Sequence, residues 1–81
     1  MKATVIVELK SSVLDPQGKA IQHSLGSLGF GGVEDVRVGK LFRLTLADDG
    51  QSHDEIERQL RSMCERLLAN TVMENFSWTV E

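Results

Sequence analysis

Two kinds of hydrophobic periodicity alternate along the chain, and their order restricts the possible folds more than any other feature of the sequence. The first segment, residues 2–10, has apolar residues at every second position, as a strand with one buried face requires. Residues 16–28 instead have apolar residues at helical spacing. Asp15 can cap the first backbone amides of this helix, Pro16 fits its first position, and Gly29 suits its end. We therefore expect a strand followed by a helix.

The rest of the chain adds two adjacent strands, a second helix and a final strand. Gly39 and Lys40 suit a tight hairpin turn between the two adjacent strands. Ser52 and Glu55 have the spacing of a capping box at the start of the second helix. The predicted elements are strands at 33–38 and 41–47, a polar turn at 48–51, a helix at 53–69 and a strand at 76–80.

This order, βαββαβ, predicts an α+β fold of the ferredoxin-like type. We expect one domain, residues 1–81, built as a two-layer sandwich in which both helices cover one face of a four-stranded antiparallel sheet. Ile6 and Leu41 have the opposite parity to the main apolar residues of their strands. The sequence does not decide which parity faces the helices; if the main apolar residues do, these two make the open face partly apolar, which predicts a docking surface for a partner.

Charge and composition exclude several classes of function. The net charge of −3 and the pI of about 5.3 would repel a phosphate backbone, so we expect neither nucleic acid nor a membrane surface as a partner. The first residues lack the apolar region of a signal peptide and are too polar for a membrane span, so we expect a cytoplasmic protein. An 81-residue chain has a small core, and its one cysteine cannot form an internal disulfide. A partner chain is the expected source of additional stability.

The sequence contains no catalytic or metal-binding constellation. His23 lies outside the apolar arc of the first helix and His53 begins the second, so both are interpreted as surface residues. Cys64 lies on the apolar stripe of the second helix, where core packing is favoured over a nucleophilic role. Arg37 and Lys40, around the predicted hairpin, are more specific than the fold requires, although exposed charges that protect a sheet edge explain them equally well.

Three stretches of the sequence resemble the PurS family, the small subunits of bacterial and archaeal phosphoribosylformylglycinamidine synthase. They are SVLDPQGKAI at 12–21, LGF with VEDVRVGK within 28–40, and MCERLLAN at 63–70. The runs LDPQGK and VRVGK include polar residues that a fold alone does not demand. Thr71 departs from the family, where many members have Pro.

The resemblance implies a subunit of a complex in purine biosynthesis that converts an amide to an amidine with ATP and with ammonia released from glutamine. It implies as partners a glutaminase subunit (PurQ), a synthetase subunit (PurL) and further copies of this chain, as a homodimer or tetramer. It implies no catalytic residue and no bound cofactor in this chain, ATP and magnesium being used by the complex. The candidate partner-binding residues lie in the two polar-containing runs and are Asp15, Gln17, Lys19, Arg37, Val38, Gly39 and Lys40.

Two other functions occur on related folds. A small-molecule-sensing regulatory module would line an effector pocket with Gly29, Gly31 and Gly32, and calorimetric titration with amino acids would distinguish it from an assembly subunit. A small acyl phosphate hydrolase needs an arginine in the loop after the first strand, and residues 11–15 contain none. The sequence therefore disfavours the hydrolase.

Overall fold

The computed structural model describes residues 1–48 and 50–81, and this part of the chain contains three strands and two α-helices. Asp49, which belongs to the predicted polar turn, lies outside the described residues. The second helix continues directly into a π-helical turn, in which the amide of Ala69 donates to the carbonyl of Cys64 at 2.9 Å. The elements are β1 Lys2–Leu9, α1 Pro16–Ser27, β2 Gly39–Thr45, α2 His53–Met63, the π-helical turn Cys64–Leu68, and β3 Glu74–Val80.

The sheet is antiparallel and has the order β2-β1-β3, so the first strand lies in the centre. Val5 pairs with Phe42 on one side and with Trp78 on the other, and all three side chains share the face that packs against α2. This parity agrees with the alternation predicted for the first strand. The apolar stripe of α2 and of the π-helical turn packs against this face of the sheet. It includes the fully buried Leu60 in α2 and Cys64 in the turn. The core consists of Ala3, Val5, Val7, Ile56, Leu60, Cys64 and Ala69.

The predicted strand at 33–38 does not form, so the prediction of a four-stranded sheet is wrong for the part of the chain that the structure describes. The first strand is already paired at its last residues, with Glu8 opposite Gly39 in β2 and Leu9 opposite Glu74 in β3. Residues 33–38 therefore lie beyond the end of the sheet. Gly39 does not make a hairpin turn. It lies in β2 and lets this strand approach β1 closely, since a Cβ there would lie 2.9 Å from the Val7 carbonyl oxygen.

The prediction that both helices cover one face of the sheet is also wrong, because α1 contributes no side chain to the core described above. The helix and the segment that follows it, residues 16–38, project from the sheet; we call them the arm. The molecule is correspondingly elongated, with extents of 52 × 24 × 15 Å. The predicted apolar stripe runs along α1 from Leu14, just before the arm, to Leu28, and both of these leucines stay accessible, at 67% and 73% exposed. Helical periodicity shows which side of a helix is apolar but not what covers it.

Both helices begin as the sequence predicts, and α1 also ends as predicted, whereas α2 ends at Met63 and continues as the π-helical turn. The side chain of Asp15 accepts from the Gly18 amide at the start of α1, and Ser52 accepts from the Glu55 amide at the start of α2. Gly29 has a φ of 98°, the left-handed conformation that ends α1, and the Phe30 amide then donates to the carbonyl of Leu25 at 2.9 Å.

The sheet face opposite α2 has no covering element among the described residues. Ile6 and Leu41 are paired on this face and are 39% and 54% exposed, as their parity predicts. Docking of a partner on this face remains a prediction. No helix in the described part of the chain is long and apolar enough to cross a membrane.

Candidate functional site

The arm meets the sheet at a cluster of polar contacts centred on Asp15. One carboxylate oxygen accepts from the Gly18 amide at 2.9 Å, and the other accepts from the Val38 amide at 2.7 Å. Asp15 is only 4% exposed, and among the described residues no other charged side chain is buried. A single carboxylate therefore caps α1 and also holds the segment that leads into β2.

These contacts change the acidity of Asp15. Hydrogen bonds from the Val38 and Gly18 amides lower the pKa of Asp15, burial opposes them, and the positive charge of Arg37 adds to the lowering. Hydrogen bonds to the charged form stabilise it, so the group is a carboxylate at neutral pH. A negative charge held in this way is suited to a structural contact rather than to proton transfer.

Arg37 supplies the second contact of the cluster. Its Nη2 atom donates to the carbonyl of Lys10 at 2.9 Å and to the carbonyl of Val13 at 2.7 Å, both in the loop between β1 and α1. The Lys10 amide in turn donates to the Met73 carbonyl, directly before β3. Arg37 thus connects the returning segment of the arm to the loop that joins the arm to the sheet.

The third contact is at Gly18, where the lack of a side chain leaves room for another backbone segment. A Cβ at this position would lie 2.0 Å from the Val36 carbonyl oxygen, and Gly18 is the buried residue of α1. One turn further along the helix, the Gln22 side-chain amide donates to the Glu34 carbonyl at 2.8 Å. The segment after the helix therefore runs back along α1 in direct backbone contact.

Five of the seven predicted partner-binding residues line one small cleft. It has a volume of about 200 Å³ and lies on the part of the helix-side face that α2 leaves open. Lys40 and Glu74 form an ion pair at its edge, at 3.6 Å. The Lys40 side chain is 59% exposed and so remains accessible from solvent. The predicted residues that line the cleft are Asp15, Gln17, Val38, Gly39 and Lys40.

The other two predicted residues lie outside this cleft. Arg37 is next to it but is directed at the two carbonyls described above. Lys19 lies along a separate, open groove between α1 and the returning segment, with a volume of about 630 Å³. Gln22 and His23 line the same groove, and the Gln22 Oε1 atom is buried there without a hydrogen-bond partner. The structure therefore divides the predicted residues between two surfaces of the arm.

Two residues of the site were not among the predicted ones. Gly18 was detectable, because a glycine inside a helix costs stability and its presence indicates close approach of another backbone. Glu74 was not, because its partner Lys40 lies on a strand separated from it by β1, and one sequence gives no register between strands.

The side chains of this region can hold backbone segments together, but they include no nucleophile with a base beside it. Within residues 1–48 and 50–81, no group of three or more His, Cys, Asp or Glu residues is placed so that it could hold a metal ion. Cys64 is fully buried, and burial raises the pKa of its thiol against the smaller opposing effect of Arg61. That thiol is protonated near neutral pH and packs as an apolar group.

Comparison with known proteins identifies the family. Residues 2–81 match the family described as PurS, phosphoribosylformylglycinamidine (FGAM) synthase. The chain belongs to the PurS family. The PurS subunit of Bacillus subtilis is 48% identical over 80 residues, which cover 99% of this chain and 92% of that protein. The PurS subunit of Synechocystis is 45% identical over 76 residues, which cover 94% of this chain and 74% of that protein.

Solved PurS structures share the fold. The B. subtilis PurS crystal structure has a TM-score of 0.85 and covers 99% of this chain and 96% of its own. The Thermotoga maritima PurLQS structure has a TM-score of 0.82 at 28% identity, and covers 96% of this chain and 93% of its own. As a PurS-family member, this chain is a subunit of FGAM synthase, a ligase of purine biosynthesis, and it associates with the partners of that complex. The sequence-based assignment to PurS is thereby confirmed.

Proposed function

We propose that this chain is a non-catalytic assembly subunit, which joins the glutaminase and synthetase subunits of FGAM synthase and assists the transfer of ammonia between them. The observation that carries this proposal is the similarity of nearly the whole chain to one component of the T. maritima PurLQS complex. The polar cluster around Asp15 supports it, because the cluster fixes backbone segments and contains no reactive pair. The chemistry then belongs to the two larger subunits.

Ammonia transfer gives a physical reason for such a subunit. Free ammonia is mostly protonated near neutral pH, and the ammonium ion is no nucleophile. Synthesis therefore benefits when the site that releases ammonia is docked to the site that consumes it and both are shielded from water. A small protein that binds both subunits can provide this alignment without contacting a substrate. We infer that ATP and magnesium are bound elsewhere in the complex.

We further propose that the chain associates with itself, as a homodimer or tetramer. Two exposed apolar surfaces support this: the open sheet face with Ile6 and Leu41, and the apolar stripe along α1 together with Leu14 before the helix and Leu28 after it. Apolar surface of this kind on a small chain is typical of an interface. We also propose that the complex is cytoplasmic.

We propose two roles for the seven residues that the sequence indicated. Gln17, Lys19 and Lys40 are exposed and are available for direct contact with a partner subunit. The other four act indirectly, by fixing the backbone conformation of this region, because their contacts lie within the chain. They are Asp15, Arg37, Val38 and Gly39.

The deciding experiment compares two assays of amidine synthesis. The glutaminase and synthetase subunits from the same organism are mixed with and without this chain, and the reaction is driven either by glutamine or by added ammonium. We expect the glutamine-dependent rate to require the chain and the ammonium-dependent rate to be independent of it. A Lys40→Ala variant should lower the glutamine-dependent rate.

Arg66→Ala provides the matched control, since it removes a positive charge from an exposed side chain of the π-helical turn, outside the arm and the cleft. It should match the unmodified chain in both assays. If the chain changes neither reaction, the assembly role is wrong. If it also raises the ammonium-dependent rate, the chain acts on the synthetase step itself and the proposed transfer role is wrong.

A further inference from the structure

The arm has no apolar anchorage in the body of the molecule. No residue of α1 belongs to the core formed by the sheet and α2. Within one copy of the chain, its orientation therefore depends on the connections at its base, where two chain segments enter and leave. In most small domains a helix is oriented by its buried apolar face. Here a different set of contacts must do this.

Those contacts converge from both segments on one point. The Asp15 carboxylate binds the first turn of α1 with one oxygen and the Val38 amide, next to β2, with the other. Arg37 binds the loop after β1 through the carbonyls of Lys10 and Val13. Gly18 lets the returning segment contact the helix backbone at Val36. The contacts of Asp15 and Arg37 join the loop before α1 to the segment that leads into β2. The contact of Gly18 joins α1 to the segment that returns beside it.

We propose that Asp15 and Arg37, with Gly18 holding the helix and the returning segment of the arm together, form a rigid joint that fixes the direction of the arm relative to the sheet. The assembly of FGAM synthase requires this fixed direction. The inference rests on the assembly role proposed above and deepens it. The three are positioning residues: they act on partner binding through the arm and contact no partner themselves.

The geometry distinguishes this joint from a partner-binding patch. Asp15 uses both of its oxygens within the chain and is almost entirely buried, so it presents no free acceptor to a partner. The Arg37 Nη2 atom is likewise engaged by two carbonyls. Hydrogen bonds to charged groups are stronger and shorter than neutral ones, and contacts from several directions at one point suit them to fixing an angle. A glycine in contact with a backbone carbonyl leaves the arm little freedom to bend at that point.

Two substitutions test the joint selectively. Asp15→Ser retains a good helix cap at α1, but the shorter side chain cannot also reach the Val38 amide. Arg37→Ala removes both carbonyl contacts and leaves the helix cap intact. The matched controls are Asp35→Ser and Arg66→Ala, which make the same changes of charge at exposed positions outside the joint. Circular dichroism checks that each variant keeps its helices, and Asp15→Asn replaces Asp15→Ser if that variant unfolds.

The first readout is the direction of the arm. Spin labels at Ser27→Cys, at the end of α1, and Thr45→Cys, at the end of β2, report one distance in a Cys64→Ala background. Labelled chain is diluted with unlabelled chain so that distances within one copy dominate. We expect a narrow distance distribution in the parent and both controls, and a broad one in the two joint variants.

The second readout is affinity for the mixed glutaminase and synthetase subunits, measured by sedimentation or calorimetry. We expect the joint variants to bind at least about tenfold more weakly than the parent, and the controls to bind within about twofold of it. If the distance distribution stays narrow in both variants, these residues do not form the joint. If it broadens while affinity is retained, the direction of the arm is not what assembly requires. A parent chain that does not bind at all instead refutes the proposed function.

Discussion

At Asp15, one carboxylate satisfies two backbone amides that would otherwise lack partners. The first turn of any helix has free amides, and the Asp-Pro pair shows in the sequence which residue caps them. The second amide, that of Val38, lies 23 residues further along the chain. No local pattern indicates such a contact. The capping role was therefore predictable from the sequence, whereas the connection to β2 required the structure.

This double contact predicts a specific dependence of stability on pH. The folded-state pKa of Asp15 is below its ordinary value, so its contribution to stability is complete above the unfolded-state pKa of about 4 and is lost as the pH falls through the lower, folded-state pKa. We expect the free energy of unfolding to fall more steeply below pH about 4 in the parent chain than in Asp15→Asn. Denaturant unfolding from pH 7 to 2, at one protein concentration, measures this difference.

Asp35→Asn is the control for that series. Asp35 is exposed on the same returning segment, and its variant should follow the parent chain across the whole pH range. If Asp15→Asn also follows the parent below pH about 4, the carboxylate contributes nothing to stability through its two amides.

Among the elements, those with their own local signals were predicted and those that depend on a distant partner were not. The structure places β1 and α1 within a residue of their predicted bounds, and the second predicted helix, 53–69, is observed as α2 followed by the π-helical turn. Residues 33–38 resemble a strand because they alternate, but a strand also needs a neighbour with free hydrogen-bonding groups. Gly39 already lies opposite Glu8 near the end of β1, so this segment extends past the end of the sheet and bonds to α1 and Asp15 instead.

Within α2 and its π-helical extension, two leucines differ sharply in burial. Leu60 is fully buried in the core, whereas Leu67 is 83% exposed. Leu60→Ala removes buried apolar contacts and leaves a cavity, so we expect it to lower the free energy of unfolding by about 2–5 kcal/mol. Leu67→Ala should stay within about 0.5 kcal/mol of the parent. Equal effects in denaturant unfolding would contradict the packing of α2 on the sheet.

Within α1, two glycines provide a similar comparison. A Cβ at Gly18 would overlap the Val36 carbonyl, whereas a Cβ at Gly26 would have no atom within 4 Å. Gly26→Ala should stabilise the helix, by about 0.5–1 kcal/mol, because alanine restricts the unfolded chain. Gly18→Ala should destabilise the protein by about 1–3 kcal/mol, the usual cost of overpacking. Thermal and denaturant unfolding of the two variants tests this, and a Gly18→Ala variant as stable as the parent would show that the returning segment does not contact the helix.

At the scale of the whole molecule, the exposed stripe of the arm predicts how the chain associates with itself. Ile21 lies on the stripe and is 38% exposed, and His23 lies on the same helix outside it. We expect Ile21→Asp to weaken self-association by at least about tenfold in sedimentation experiments, because it places a charge in an apolar interface. His23→Asp introduces the same charge on the other side and should leave self-association unchanged. Equal behaviour of the two variants would mean that the stripe is not the interface.

The elongated shape also affects what happens to a copy that finds no partner. Its arm has no core of its own, and its helix presents apolar residues to solvent. Segments with few buried contacts open easily and are cut first by proteases, and exposed apolar surface attracts chaperones. An unassembled copy is therefore expected to be degraded sooner than an assembled one. Degradation of this kind would keep the number of surviving copies close to the number that the synthase complex can hold.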